Sequence, residues 1–308
     1  MFRSICRKLS PNPLDLLLSR SVKAKKKKIL LCWNRGLGDI ALGLFAIVER
    51  IRTYIPDASI TFLTRTNLVE GFHLLCNVEV IEAPEWQRDL PFSLEKTLRK
   101  CKISPHSFDL IIEKPDPTYW VQWQLGELCP KLRWKKHWDS LHTSFALPDK
   151  PFLIGVHPLA EAPYGLRRNW PYERWREFFD RLDMHKEVGV VLFGLTSEMD
   201  FEHRSVVDLR TKTNLLQMLS IIKNRCTHLI VPDSGILTMT YFLDVSFPIK
   251  VISLWADPHQ GVLKQAVASP NPKLVHVPLI AENHNLYNIE AENVLMHLFP
   301  QRGPHESR

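Results

Sequence analysis

Short apolar runs alternate with amphipathic stretches along most of the chain. The first run, Ile29-Leu30-Leu31-Cys32-Trp33, leads into Asn34-Arg35-Gly36-Leu37-Gly38-Asp39, and a helical pattern over 40–54 leads out. Further runs predict strands at 59–64, 78–82, 109–113 and 132–134, with helices over 67–75, 93–102 and 119–129. Residues 137–150 break the rhythm and read as an interdomain linker. It then resumes with strands at 152–156, 188–193, 206–209, 228–231 and 251–254. Helices are expected over 171–182, 215–223, 236–243 and 291–298, the first opening on Pro171, which suits an initial helical turn. Near-continuous apolar strands alternating with helices argue for parallel sheets covered on both faces. The expected fold class is α/β, with two Rossmann-like domains whose parallel sheets face a central cleft. The domains expected are 29–147 and 148–308, preceded by a basic extension over 1–28. A site would lie at the carboxyl ends of the strands.

Charge changes this picture at one place. The 308-residue chain carries a formal +7. Residues 1–28 hold nine Lys/Arg against the single acid Asp15, so the remainder is close to neutral. The basic balance therefore does not indicate a nucleic-acid groove. It marks a leader suited to an anionic surface. Leu14 and Leu16-Leu17-Leu18 followed by basic residues allow an amphipathic helix lying on acidic lipid, or equally a disordered extension. No apolar run reaches the roughly 18 residues of a membrane span, and no secretory signal is recognisable. The six scattered cysteines contain no C-x-x-C pair, the usage expected of reduced thiols in a cytoplasm. The 13 histidines show no metal-binding spacing.

Three loops could carry chemistry. Gly36-Leu37-Gly38-Asp39-Ile40-Ala41 fits G-x-G-x-x-[GA], a weak dinucleotide signal on its own. Asp39 opposes that reading, because a carboxylate at a helix N-terminus competes with pyrophosphate. It either caps the helix or presents a carboxylate to a substrate. Arg65 after the second strand keeps an NADP-dependent oxidoreductase open as a third reading. The second loop runs from His157-Pro158 to Arg167-Arg168-Asn169-Trp170-Pro171, where adjacent guanidinium groups can grip phosphate. The third is Asp233-Ser234-Gly235, whose backbone N–H groups and Ser234 hydroxyl can cradle an anion. Ser234 lacks the G-x-S-x-G setting of a nucleophile.

Taken in order, these segments resemble glycosyltransferase family nine, the lipopolysaccharide heptosyltransferases. The matching text is Ile29 to Asp39, Ile154-Gly155-Val156-His157-Pro158 and Arg168-Asn169-Trp170-Pro171. It continues through Val191-Leu192-Phe193-Gly194, Asp208-Leu209 with Lys212-Thr213-Asn214-Leu215, and Val231-Pro232-Asp233-Ser234-Gly235. The resemblance implies a GT-B fold and inverting, metal-independent transfer from a nucleotide-sugar donor. It implies no cofactor beyond that donor, an ADP-linked sugar, and a glycolipid acceptor.

The resemblance also assigns roles. Asp39 would be the general base, with Gly36 and Gly38 leaving room on the acceptor side. Arg168, Ser234 and Gly235 would hold the donor diphosphate. Asp233, Thr238 and Glu198 would complete the donor site, Glu198 near the ribose. Such an enzyme would work in the cytoplasm, peripheral on the inner membrane. The sequence departs from the family pattern at Arg168 (usually Lys), Thr211 (usually Gly), Thr238 (usually His) and Trp255-Ala256-Asp257-Pro258. These departures support an alternative: a catalytically degenerate protein of the same fold that binds a nucleotide or glycan.

Overall fold

Parallel pairing organises both sheets in a computed structural model that describes residues 11–160, 168–201 and 206–299. Two compact units divide the chain between Pro130 and Lys131. The first holds α1 (Pro13–Lys23), β1 (Lys28–Trp33), α2 (Phe45–Tyr54), β2 (Ser59–Thr64), α3 (Val69–His73), β3 (Glu79–Glu82), α4 (Leu94–Lys100) and β4 (Leu110–Ile112). Its strands lie in the order β3-β2-β1-β4 and all pair in parallel. In β1 and β2 every residue after the first is buried. That two-sided burial is why both read as unbroken apolar runs.

The second unit holds β5 (Phe152–Val156), α5 (Tyr172–Leu182), β6 (Val188–Leu192), β7 (Val206–Asp208), α6 (Leu215–Asn224), β8 (His228–Pro232), α7 (Gly235–Tyr241), β9 (Ile249–Trp255), α8 (Gly261–Gln265), β10 (Leu274–Ile280) and α9 (Ala291–Leu298). Its six strands run β10-β9-β8-β5-β6-β7, again all parallel. The core on one face gathers Trp170, Trp175, Phe178 and Phe179 with Val294 and Leu298. Each sheet reverses its strand order once, between β1 and β4 in the first and between β5 and β8 in the second. Ligands of open α/β sheets bind at such switch points, outside the carboxyl ends of the strands.

Five expectations change; the strand expected at 132–134 is only an isolated parallel bridge from Leu132 to Leu243. The leader is not a separate extension over its described part, because α1 packs on α2. Leu14 and Leu18 are fully buried there, and Arg50 donates two hydrogen bonds of 2.7 Å to the Asp15 carboxylate. Leu14 and Leu18 are therefore used within the first unit, while Leu16 and Val22 stay exposed on α1. Residues 119–129 form no α-helix, only a 3-10 turn at Gln122–Gln124. Gly126 there has φ +76°, a left-handed conformation that ends a helix. The supposed linker is a 3-10 helix, Lys136–Ser144, packed on α6. Ser220 Oγ donates to the Asp139 carbonyl at 3.1 Å and Lys223 Nζ lies 2.7 Å from the Asp139 carboxylate. The segment thus sits in the second unit, upstream of the boundary read at 147/148. Finally, β10 and α8 were not expected at all.

Candidate functional site

In the first unit the loop after β1 is held from several sides. Thr64 Oγ1 donates to the Trp33 carbonyl at 2.6 Å. Trp33 Nε1 donates to the Gly36 carbonyl at 3.2 Å, and Asn34 Nδ2 to the Gln87 carbonyl at 2.8 Å. Arg65 donates to the Arg35 carbonyl at 3.1 Å. Arg65 is thereby committed to bracing the loop. The Gly38 carbonyl accepts from Ala41 and Leu42 and starts a π-helical turn, Ile40–Leu44, a wide turn frequent at functional sites. The Gln124 side chain donates to the Leu42 carbonyl. Asp39 precedes this turn without a side-chain capping bond. Its carboxylate folds over Gly36, where an added Cβ would lie 2.6 Å from Asp39 Oδ2. Of the two roles open to Asp39, the helix cap is not made by its side chain here.

Beside that loop, at the carboxyl end of β3, lies a cavity of about 540 Å³. Trp86, Leu90 and Phe92 supply its apolar wall, and Glu85, Gln87 and Lys100 its polar groups. The Trp86 and Phe92 rings pack at 4.0 Å, and Lys100 pairs with Glu85. Aromatic faces with a few convergent polar groups are the usual lining of a small-molecule site. The Gln87 carbonyl that accepts from Asn34 ties this groove to the Asp39 loop.

In the second unit the loop after β5 is closed at its base. Asn169 Oδ1 accepts from the Ala160 N–H at 2.7 Å, and fully buried Trp170 donates to the Ile289 carbonyl at 2.8 Å. Arg167 lies outside the described residues. Arg168 sits between these anchors, with Nη1 at 3.5 Å from Asp233 Oδ2 and Nη2 donating to Gln260 Oε1. Gln260 in turn donates to Asp257 at 2.9 Å. Arg168, Asp233 and the end of β9 therefore converge beside the switch point. Burial pushes the Asp233 carboxyl pKa up; Arg168 opposes this and Asp257 adds to it. Gly261 is required here. Its φ is +50°, and an added Cβ would lie 2.4 Å from Asp233 Oδ1.

The remaining predicted residues are placed as follows. Ser234 Oγ accepts from the Leu237 N–H at 3.3 Å and caps α7, whose first residue is Gly235. Thr238 is buried, and its hydroxyl donates to the Ser234 carbonyl at 3.1 Å. It secures the first turn of α7 from inside. Glu198 is exposed on the segment after β6. His157 is buried after β5, where burial takes its pKa down to about 4. Cys32 and Cys226 are buried thiols pushed up to about 12, chiefly by burial. Among the described residues no cluster of His, Cys, Asp or Glu is arranged to hold a metal ion. Gln260 and Gly261 were missed from sequence, and Asp257 was noted only as part of the departing Trp255–Pro258 stretch.

No protein-family model and no curated protein matches the chain in sequence. Solved structures do match in fold. The glycosyl transferase family 9 structure from Veillonella parvula DSM 2008 is 17% identical, covers 87% of this chain and 95% of its own, and superposes with a TM-score of 0.56. The E. coli ADP-heptose lps heptosyltransferase II is 18% identical, covers 88% and 97%, and superposes with a TM-score of 0.57.

The fold is that of glycosyltransferase family 9. On the family 9 fold, the Asp39 loop and the Arg168–Asp233 pair each occupy a switch point.

Proposed function

We propose that the chain is an inverting, metal-independent glycosyltransferase that moves a heptose-like sugar from an ADP-linked donor to a lipopolysaccharide-type glycolipid. The observation that supports this most is the placement of Asp39 and of the Arg168–Asp233–Gln260 cluster at the switch points of two parallel sheets. In this reading the acceptor sugar lies in the Trp86–Phe92 groove, against its apolar wall. Asp39 takes the proton of the acceptor hydroxyl. The hydroxyl oxygen attacks the anomeric carbon as the bond to the donor phosphate breaks, and the electron pair leaves with the diphosphate. Arg168 and the Ser234 and Gly235 N–H groups stabilise that leaving charge. Asp233 accepts from donor sugar hydroxyls, and Glu198 from the ribose.

The described leader adds a surface to this reading. Arg20, Lys23, Lys25 and Lys28 are exposed around the end of α1, and no described helix is long and apolar enough to cross a membrane. We place that basic face against the anionic, cytoplasmic surface of the inner membrane, where a glycolipid acceptor would be met. Association with anionic vesicles that persists after changing these four residues to Glu would refute it.

The second reading is a binding protein without turnover. It is favoured by Thr238, whose hydroxyl is spent inside α7, and by Arg168, already engaged by Asp233 and Gln260. Titration with ADP, UDP and GDP, followed by ADP release from ADP-heptose, separates the two: binding with no release supports the second. The oxidoreductase reading predicts NADPH binding at the first loop, where Asp39 covers Gly36.

A further inference from the structure

We propose that Ser253 and His276 are positioning residues for the Arg168–Asp233 pair and act on it through Trp255. The proposal deepens the donor-site reading above and rests on it for the meaning of that pair. Ser253 and Trp255 stand two residues apart on β9 and so share one face. Both are fully buried. Trp255 Nε1 donates to Ser253 Oγ at 2.6 Å, and Ser253 Oγ lies 2.7 Å from His276 Nε2 on the neighbouring strand β10.

The direction of the first of these bonds follows from donor chemistry. An indole N–H only donates, so Ser253 Oγ accepts from Trp255 and keeps both its own proton and a second lone pair for His276 Nε2. His276 is neutral there, in keeping with burial taking its pKa down to about 4.

The other end of the indole is the functional one. A Cβ on Gly261 would come 2.8 Å from Trp255 Cη2 and 2.4 Å from Asp233 Oδ1. The space a Cβ would fill on Gly261 is therefore bordered by both the far edge of the Trp255 ring and the Asp233 carboxylate, whose other oxygen faces Arg168. A ring held by its nitrogen at one end and pressed on Gly261 at the other works as a lever. Removing the Ser253 hydroxyl leaves a buried N–H without an acceptor, a state the ring escapes by turning. The turn moves the support behind Asp233. Ser253 and His276 touch no ligand in this account; they set the distance between the two groups that do.

The test uses the full-length protein and two readouts. The first is the titration of the Asp233 carboxyl by carbon NMR, assigned through its disappearance in Asp233→Asn. Ser253→Ala and His276→Phe are each expected to move its midpoint by about half a unit or more, while Ser253→Thr, which keeps the hydroxyl, restores it. In a Trp255→Phe background Ser253→Ala should add nothing, since the lever is already gone. The second is binding of ADP, UDP and GDP, expected to weaken about tenfold in the same variants for whichever nucleotide the unaltered protein binds. Folded variants with a lower melting temperature but an unmoved Asp233 midpoint and unchanged affinity would overturn the proposal. If no diphosphate binds the unaltered protein, the donor-site reading falls, and the carboxyl titration still decides this one.

Discussion

Arg168 Nη1 stands 3.5 Å from Asp233 Oδ2, an ion pair with one open and one covered side. The Arg168 side chain is 36% exposed and that of Asp233 only 11%. An anion can therefore reach the guanidinium from solvent while the carboxylate stays beneath it. Arg168 follows the loop after β5 and Asp233 the end of β8, the two strands that flank the switch point.

This pair has a pH signature. Burial raises the Asp233 pKa in the folded protein. For a carboxylate raised on folding, the folded state holds the proton more tightly. Its contribution to stability is present at low pH and is lost as pH rises through the folded pKa. Asp233→Asn should therefore be more stable than the unaltered protein at pH 7, with the advantage disappearing as pH falls into the ordinary carboxylate range. Melting temperatures of the two proteins across that range check this. A side chain that destabilises the resting fold is expected where it serves a ligand.

Gly36→Ala tests the placement of Asp39. The new Cβ would fall 2.6 Å from Asp39 Oδ2, so the carboxylate must move. Loss of a positioned base costs about 100-fold or more in turnover. Donor affinity, which the proposed function assigns to the second unit, should be unchanged. Steady-state turnover together with calorimetric binding of the nucleotide resolves the two.

Thr211 is held at φ +63°, with its N–H donating to the Gly194 carbonyl at 2.8 Å. A β-branched residue is strained in this left-handed region. Thr211→Gly should stabilise the protein by about 1 kcal/mol, read from the denaturant midpoint. The same position is one of the departures from the pattern of the family that the sequence resembles.

Burial takes the pKa of His157 down to about 4. The unfolded chain then binds a proton that the folded chain refuses, so stability falls as pH drops from about 6.5 toward 4, by as much as about 3 kcal/mol. His157→Phe should flatten that part of the stability–pH curve, measured by urea denaturation at each pH.

What could be read from the sequence follows from burial. Ile29 to Trp33 and Val188 to Leu192 are covered on both faces, so their apolar runs announce buried parallel strands. In β10 half-buried and exposed positions mix, none is fully covered, and Pro278 interrupts the pattern at the sheet edge. That strand is set by pairing with β9, which no local pattern reveals. Asp39, Arg168 and Asp233 stood out as candidates because each follows a strand end and sits in a motif. Gln260 and Gly261 were not, because their place beside Arg168 and Asp233 depends on β9 lying next to β8. Asp15 illustrates the same limit. As a lone acid in a basic leader it gave no sign of Arg50, its partner on α2.

The central claim is that Asp39 is the base of a glycosyl transfer whose donor is held in the second unit. The most direct test is ADP release from ADP-heptose in the presence of a lipopolysaccharide-type glycolipid, comparing the unaltered protein with Asp39→Asn. The account predicts a fall in turnover of about 100-fold or more, with the donor dissociation constant unchanged. Turnover at the unaltered rate in Asp39→Asn, with donor bound as before, would contradict it.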